Sequence, residues 1–242
     1  MSRFLILGYG LLGYAIGMGG LTYFILFVGG FDFLPIHINS GTPADPSQAM
    51  LINLGLIALF GIQHSVMARP SFKKLWTKFV PEAAERSTYV LISGVMMLVI
   101  CAFWQPIDGT LWQVNSTIGW WLLTGGYAFG WVFAVTSTFL INHFELFGLQ
   151  QVYYNLRNED VPEPTFTSRF FYNVVRHPLQ LGILMGIWIT PNMSLSHLCM
   201  ALGMSIYIFV GLYFEEQDLT ETLGQDYKDY QERVPMILPL PQ

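Results

Sequence analysis

Apolar residues in this chain gather into long blocks separated by polar segments. Six blocks can be followed: about Phe4 to Phe31, Gln48 to Ala68, Ser87 to Trp104, Ile118 to Ile141, Leu179 to Thr190, and Leu195 to Phe214. Runs of about 20 predominantly apolar residues, wound into helix, match the roughly 30 Å hydrocarbon core of a bilayer. The pattern therefore predicts an all-α, polytopic membrane protein with about six membrane helices. The fifth block, at about 12 residues and 1.5 Å rise each, is too short to cross unaided. It tilts, starts earlier among Phe170 to Val175, or turns back before the far side. Pro191-Asn192 is a turn signal between the last two blocks, which makes them a C-terminal helical hairpin.

Composition agrees with the pattern. Of 242 residues, 53% are hydrophobic and 11% charged, against roughly 25% charged in a soluble domain. The formal net charge of −5 and the lack of a basic stripe argue against a nucleic-acid partner. Cys101 and Cys199 both lie inside apolar runs, so no disulfide framework is implied. The first block is too long for a signal-peptide core and reads as a retained membrane helix.

Topology follows from the cations. With the N-terminus inside, Arg3, the segment Arg69 to Arg86, the segment Arg157 to Arg176, and Lys228 with Arg233 hold all 11 Lys and Arg. The outer loops, about 32–47, 105–117 and 191–194, hold none. Cytoplasmic loops collect Lys and Arg, so both termini are expected on the cytoplasmic side. Two cytoplasmic regions, about Asn142 to His177 and Glu215 to Gln242, are rich in ionisable groups and flank the hairpin.

Candidate chemistry sits in these regions. Gly8, Gly10 and Gly13 spell a dinucleotide fingerprint, but they lie in a membrane helix without the strand and βαβ unit it needs, so close helix packing is the better reading. Arg176-His177-Pro178 leads into the fifth helix, with Pro178 suited to a first turn; the plain alternative is an ordinary positively charged helix entry. Glu215 and Glu216 end the sixth helix, where carboxylates face the negative end of the macrodipole and call for a compensating cation; a solvated helical extension is the alternative. The two carboxylates lie about 100° apart on a helix, which sends them to different partners. Tyr227 and Tyr230 share a helix face or serve as interfacial anchors. The tail from Met236 to Leu240, interrupted by Pro239, is expected to lie back over the cytoplasmic mouth as a lid. His64 is an intramembrane ionisable residue, either functional or a structural histidine bonded to a neighbouring helix. No histidine or cysteine spacing of a metal site occurs, and no metal is expected.

Taken together, R-H-P-x-x-x-G at Arg176 to Gly182, E-E-x-x-L at Glu215 to Leu219, and G-x-x-Y-x-x-Y-x-x-R-V-P from Gly224 to Pro235 resemble the isoprenylcysteine carboxyl methyltransferase superfamily. The resemblance covers roughly the last 70 residues in order and spacing. It implies a cytoplasmic S-adenosylmethionine site built from Arg176, His177, Pro178, Leu179, Gly182, Glu215, Glu216, Tyr227 and Arg233, with His177 and Glu215 as the leading catalytic candidates. On that basis, residues 1–141 are an N-terminal four-helix membrane region and 142–242 the cofactor-binding hairpin and tail. The sequence departs from the superfamily at Gln180, where a tyrosine is common. Three further blocks, Gln63 to Lys73, Glu85 to Leu91 and Trp188 to Met193, resemble the bacterial branch that methylates methanethiol to dimethyl sulfide. That likeness implies a small thiol substrate beside the bilayer, contacted by His64, Arg86, Tyr89, Met185 and Trp188, and a bacterial inner-membrane location. A prenylated cysteine is the alternative substrate, and a transporter or sensor the alternative class.

Overall fold

The computed structural model describes residues 2–162 and 169–239. In chain order the helices are α1 (Arg3–Gly29), α2 (Pro46–Ala68), α3 (Pro70–Trp76), α4 (Glu82–Phe103), α5 (Thr117–Ile141), α6 (His143–Leu146), α7 (Leu149–Arg157), α8 (Pro178–Trp188), α9 (Leu195–Leu223) and α10 (Gln225–Arg233). Two short strands, β1 (Thr110–Gln113) and β2 (Asn192–Ser194), complete the described elements. Five helices, α1, α2, α4, α5 and α9, are long and apolar enough to cross a membrane, and α8 is a shorter apolar helix. The chain is an all-α polytopic membrane protein.

Local signals explain the helix ends. Ser2 caps α1 by accepting from Leu5 N–H, and the helix stops at Gly30, whose φ of 65° is left-handed and suits a residue without Cβ. Asp45 caps α2 through the N–H groups of Ser47 and Gln48, with Pro46 in the first turn.

The described residues fall into two compact units, 2–107 with 142–162, and 108–141 with 169–239. In the first, α1 lies along α4 through small residues: a Cβ on Gly13 would stand 2.8 Å from the Ser87 carbonyl oxygen. Two glycines of the false fingerprint thus serve helix packing, Gly13 against α4 and Gly10 against Val152 of α7, whereas Gly8 has nothing within 4 Å of its Cβ. Asn53 is buried, yet its side chain is satisfied by both backbone groups of Gln105, at 2.8 and 2.9 Å.

In the second unit, α5 packs on α8 with equal closeness. A Cβ on Gly182 would meet Ala134 N at 2.6 Å, and one on Gly130 would meet Gly186 N at 2.6 Å. Close backbone approach of this kind is how helices associate where lipid removes the hydrophobic drive. The α8–α9 turn is not bare: β2 pairs antiparallel with β1, Trp112 opposite Met193 and Gln113 opposite Asn192. Strands of four and three residues are too short to leave an alternating pattern in the sequence.

Two expectations are corrected here. The fifth helix does not begin among Phe170 to Val175, because Phe170–Asn173 forms a 3-10 turn and the α-helix starts at Pro178. Nor do Glu215 and Glu216 end the sixth helix. α9 continues to Leu223 and stops at Gly224, with φ 62°, because Leu219 and Leu223 bury against Tyr227, Tyr230 and Val234. The macrodipole's influence fades within a turn of the helix end, so the two carboxylates are stabilised by side chains instead.

Candidate active site

The backbone just before α8 runs beside the C-terminal tail. Arg176 N–H donates to the Pro235 carbonyl at 2.9 Å, and His177 N–H donates to that of Met236 at 3.1 Å. Beyond them Ile237 buries against Ile208 and Leu212 of α9. The tail from Met236 is therefore packed onto the hairpin; Leu240 lies outside the described residues.

Glu216 is the centre of this region. Arg176 grips it with two parallel hydrogen bonds, Nε to Oε1 at 3.0 Å and Nη2 to Oε2 at 2.9 Å, the fork geometry that suits guanidinium and carboxylate. Tyr227 O–H donates to Oε1 at 2.8 Å and Gln231 Nε2 to Oε2 at 2.6 Å. His177 Nε2 lies 2.6 Å from Oε1. Five donors thus converge on a carboxylate with about four lone-pair sites, and Glu216 has no acceptor capacity left for a ligand. Burial first, and the bond to Glu216 second, push the Tyr227 phenol far above its ordinary pKa, which keeps it an O–H donor. The same Arg176 donates through Nη1 to the carbonyls of Val234 at 2.6 Å and Gln231 at 3.2 Å. It binds α9 and the tail together.

This packing decides the state of His177, which is 4% exposed. An ionised carboxylate already held by Arg176, Tyr227 and Gln231 only accepts, which places the hydrogen of this contact on Nε2; in the neutral form of the ring Nδ1 then keeps a lone pair. Nδ1 stands 3.8 Å from Oε2 of Glu215, whose side chain is 48% exposed. Glu215 also accepts from Gln180 Nε2 at 3.3 Å. Both neighbouring carboxylates therefore approach one imidazole, contrary to the expectation of separate partners, because the ring reaches across the roughly 100° between them.

The other candidates are placed as follows. Pro178 is the first residue of α8 and buried, and Leu179 beside it is partly buried. Gly182 faces α5. Arg233 is exposed and its Nε donates to the Asp229 carbonyl of its own helix, away from Glu216. Met185 lies on the α5 side of α8, and Trp188 Nε1 donates to Ser205 Oγ at 2.9 Å. In the other unit, His64, Tyr89 and Arg86 form a string. Tyr89 O–H meets His64 Nε2 at 2.6 Å, Ser93 Oγ meets Nδ1 at 3.1 Å, and the Arg86 guanidinium sits 4.9 Å from the Tyr89 ring centre.

Gln231 escaped the sequence reading. It follows Tyr227 by four residues and so shares its face of α10, a spacing that points to it once Tyr227 is tied to Glu216.

Fold and site together define a polytopic membrane protein with a half-exposed carboxylate beside a buried, oriented histidine. No family model and no solved structure matches the chain. Curated relatives do. The chain is 44% identical over 238 residues to methanethiol S-methyltransferase 2 of Bradyrhizobium diazoefficiens, covering 98% of this chain and 91% of that protein. It is 42% identical to the methanethiol S-methyltransferase of Mycobacterium tuberculosis over 241 residues, or 100% and 98% of the two chains. More distantly, it is 31% identical to a Nurim homolog of Drosophila pseudoobscura over 166 residues, 66% of each. The chain belongs to the methanethiol S-methyltransferase family.

Proposed function

We propose that the chain transfers a methyl group from S-adenosylmethionine to methanethiol, giving dimethyl sulfide, and that it is a bacterial inner-membrane member of the isoprenylcysteine carboxyl methyltransferase superfamily with both termini cytoplasmic. Likeness to proteins named for methanethiol methylation over nearly the whole chain supports the substrate. The observation that carries the chemistry is the pairing of His177 Nδ1 with Glu215 across 3.8 Å.

The donor set suits a cationic cofactor. Glu215, half exposed and with Gln180 as a long, weak donor, has lone pairs to offer an ammonium or a ribose hydroxyl, whereas Glu216 has none. Arg176 and Tyr227 act behind Glu216, and Pro178, Leu179 and Gly182 set the helix that holds them. When bound, S-adenosylmethionine supplies an electrophilic methyl on a sulfonium, and its in-line transfer gains mostly from alignment. His177 Nδ1 accepts the thiol proton, and Glu215 stabilises the imidazolium that results. The transfer would break the sulfonium's bond to that methyl and leave S-adenosylhomocysteine as the second product, while the thiol proton held on His177 would pass to water after each turnover. Met185 and Trp188, and separately His64, Arg86 and Tyr89, are the proposed substrate contacts.

The test is direct. Purified protein is given labelled S-adenosylmethionine with methanethiol, ethanethiol or a farnesylated cysteine under identical conditions. Methanethiol is expected to be fastest, with ethanethiol slower, since one methylene is worth about 1–3 kcal/mol. Preference for the farnesyl compound overturns the substrate, and absence of cofactor binding in detergent overturns the enzyme.

A further inference from the structure

Two donors hold Oε2 of Glu216, Arg176 Nη2 and Gln231 Nε2, while Oε1 receives Arg176 Nε, His177 Nε2 and Tyr227 O–H. The Gln231 backbone also accepts from Arg176 Nη1 at 3.2 Å. Gln231 is therefore in contact with both members of the ion pair that faces His177, from the solvent-side helix α10. We propose that Gln231 is a positioning residue for the reaction: by fixing the Glu216 carboxylate it holds His177 in the tautomer with hydrogen on Nε2. This rests on His177 being the proton acceptor.

The physical case is one of competing tautomers. With hydrogen on Nδ1 instead, the ring would donate toward Glu215 over 3.8 Å, too long for a sound hydrogen bond. Its Nε2 lone pair would then face a carboxylate oxygen at 2.6 Å, which is repulsive. That repulsion works only while Glu216 keeps its orientation. Without Gln231, Oε1 still receives Arg176 Nε and Tyr227 O–H, but Oε2 keeps Arg176 Nη2 as its one remaining donor of the two, so the carboxylate can tilt at that end; the 2.6 Å bond from Gln231 comes from α10 and pins the oxygen farther from the histidine. Losing a hydrogen bond to a charged group loosens that register. The misoriented tautomer presents N–H where a lone pair must receive the thiol proton.

The experiment uses full-length protein in nanodiscs with its five histidines labelled with nitrogen-15, the His177 signals being assigned by their loss in His177→Gln. Wild type is expected to show the shift of an unprotonated nitrogen at Nδ1 and of a protonated one at Nε2. Gln231→Met keeps length without a donor; kcat is expected to fall about tenfold, in line with one charge-assisted hydrogen bond, with KM for methanethiol within twofold and the two ring signals moved toward each other. Gln231→Lys restores a donor and is expected to recover most of kcat. An unchanged kcat in Gln231→Met overturns the proposal. So does a wild-type His177 protonated on Nδ1, a result that does not depend on how any variant folds. Full turnover in His177→Ala would instead remove the proton-acceptor reading while leaving the tautomer measurement standing.

Discussion

His177 Nε2 lies 2.6 Å from Oε1 of Glu216, a contact between residues 39 apart in sequence. The contact turns Nδ1 of the imidazole outward, and so makes the entry to α8 and the last turns of α9 one chemical unit.

Removal of either outward group is expected to stop the reaction without unfolding the protein. His177→Ala and Glu215→Gln should each lower turnover with methanethiol by about 10²–10⁴, the usual worth of a positioned acid or base. Initial rates, normalised to protein recovered from the membrane, measure this, and wild-type turnover in either variant excludes that residue.

Glu216 is expected to fail differently. Arg176 and Glu216 side chains are only 11% and 13% exposed, so Glu216→Ala strands a guanidinium, at a cost of about 3–5 kcal/mol. The thermal midpoint in detergent should drop, and α10 should become a site of rapid proteolysis. Survival of both at wild-type values would show that the cluster does not anchor the tail.

Gly182→Ala is expected to cost about 1–3 kcal/mol by overpacking, since its Cβ would meet backbone of α5 at 2.6 Å. Gly125→Ala, with nothing within 4 Å of its Cβ, is the matched neutral substitution. Equal thermal midpoints for the pair would contradict the α5–α8 contact.

Burial pushes the His143 imidazole below its ordinary value of 6.5, and its Nε2 meets Tyr14 O–H at 2.9 Å. The unfolded chain therefore takes up this proton first, so stability is full above about pH 6.5 and declines as pH falls toward the folded value. Unfolding midpoints between pH 7.5 and 5.5 should fall less in His143→Gln than in wild type. Parallel pH profiles would assign the acid sensitivity elsewhere.

All 11 Lys and Arg fall on one side of a six-helix reading, so reporter fusions should place Gln242 in the cytoplasm and a site near Asp45 outside. An external Gln242 would break the hairpin topology.

The sequence by itself determined the elements that depend on solvent. Apolar blocks about as long as a bilayer is thick have no other way to satisfy their backbone than as helices, and α1, α2, α4, α5 and α9 stand where the blocks predict. Pro178, which acts locally through its fixed φ and missing N–H, likewise marked a real boundary. Arg176, His177, Glu215, Glu216 and Tyr227 were all legible as residues of interest from type and spacing.

Only tertiary structure decided their roles. Motif spacing treats Glu215 and Glu216 alike, but which carboxylate is saturated depends on where α10 and the tail fold back. Arg233, in the same motif, points away, and Gln231, outside it, takes the place at Glu216. The pairing of α5 with α8, and of residues 142–162 with the N-terminal helices, likewise has no local signature. Apolar faces are interchangeable in lipid, and only the close meeting of small residues on two distant segments selects the partner.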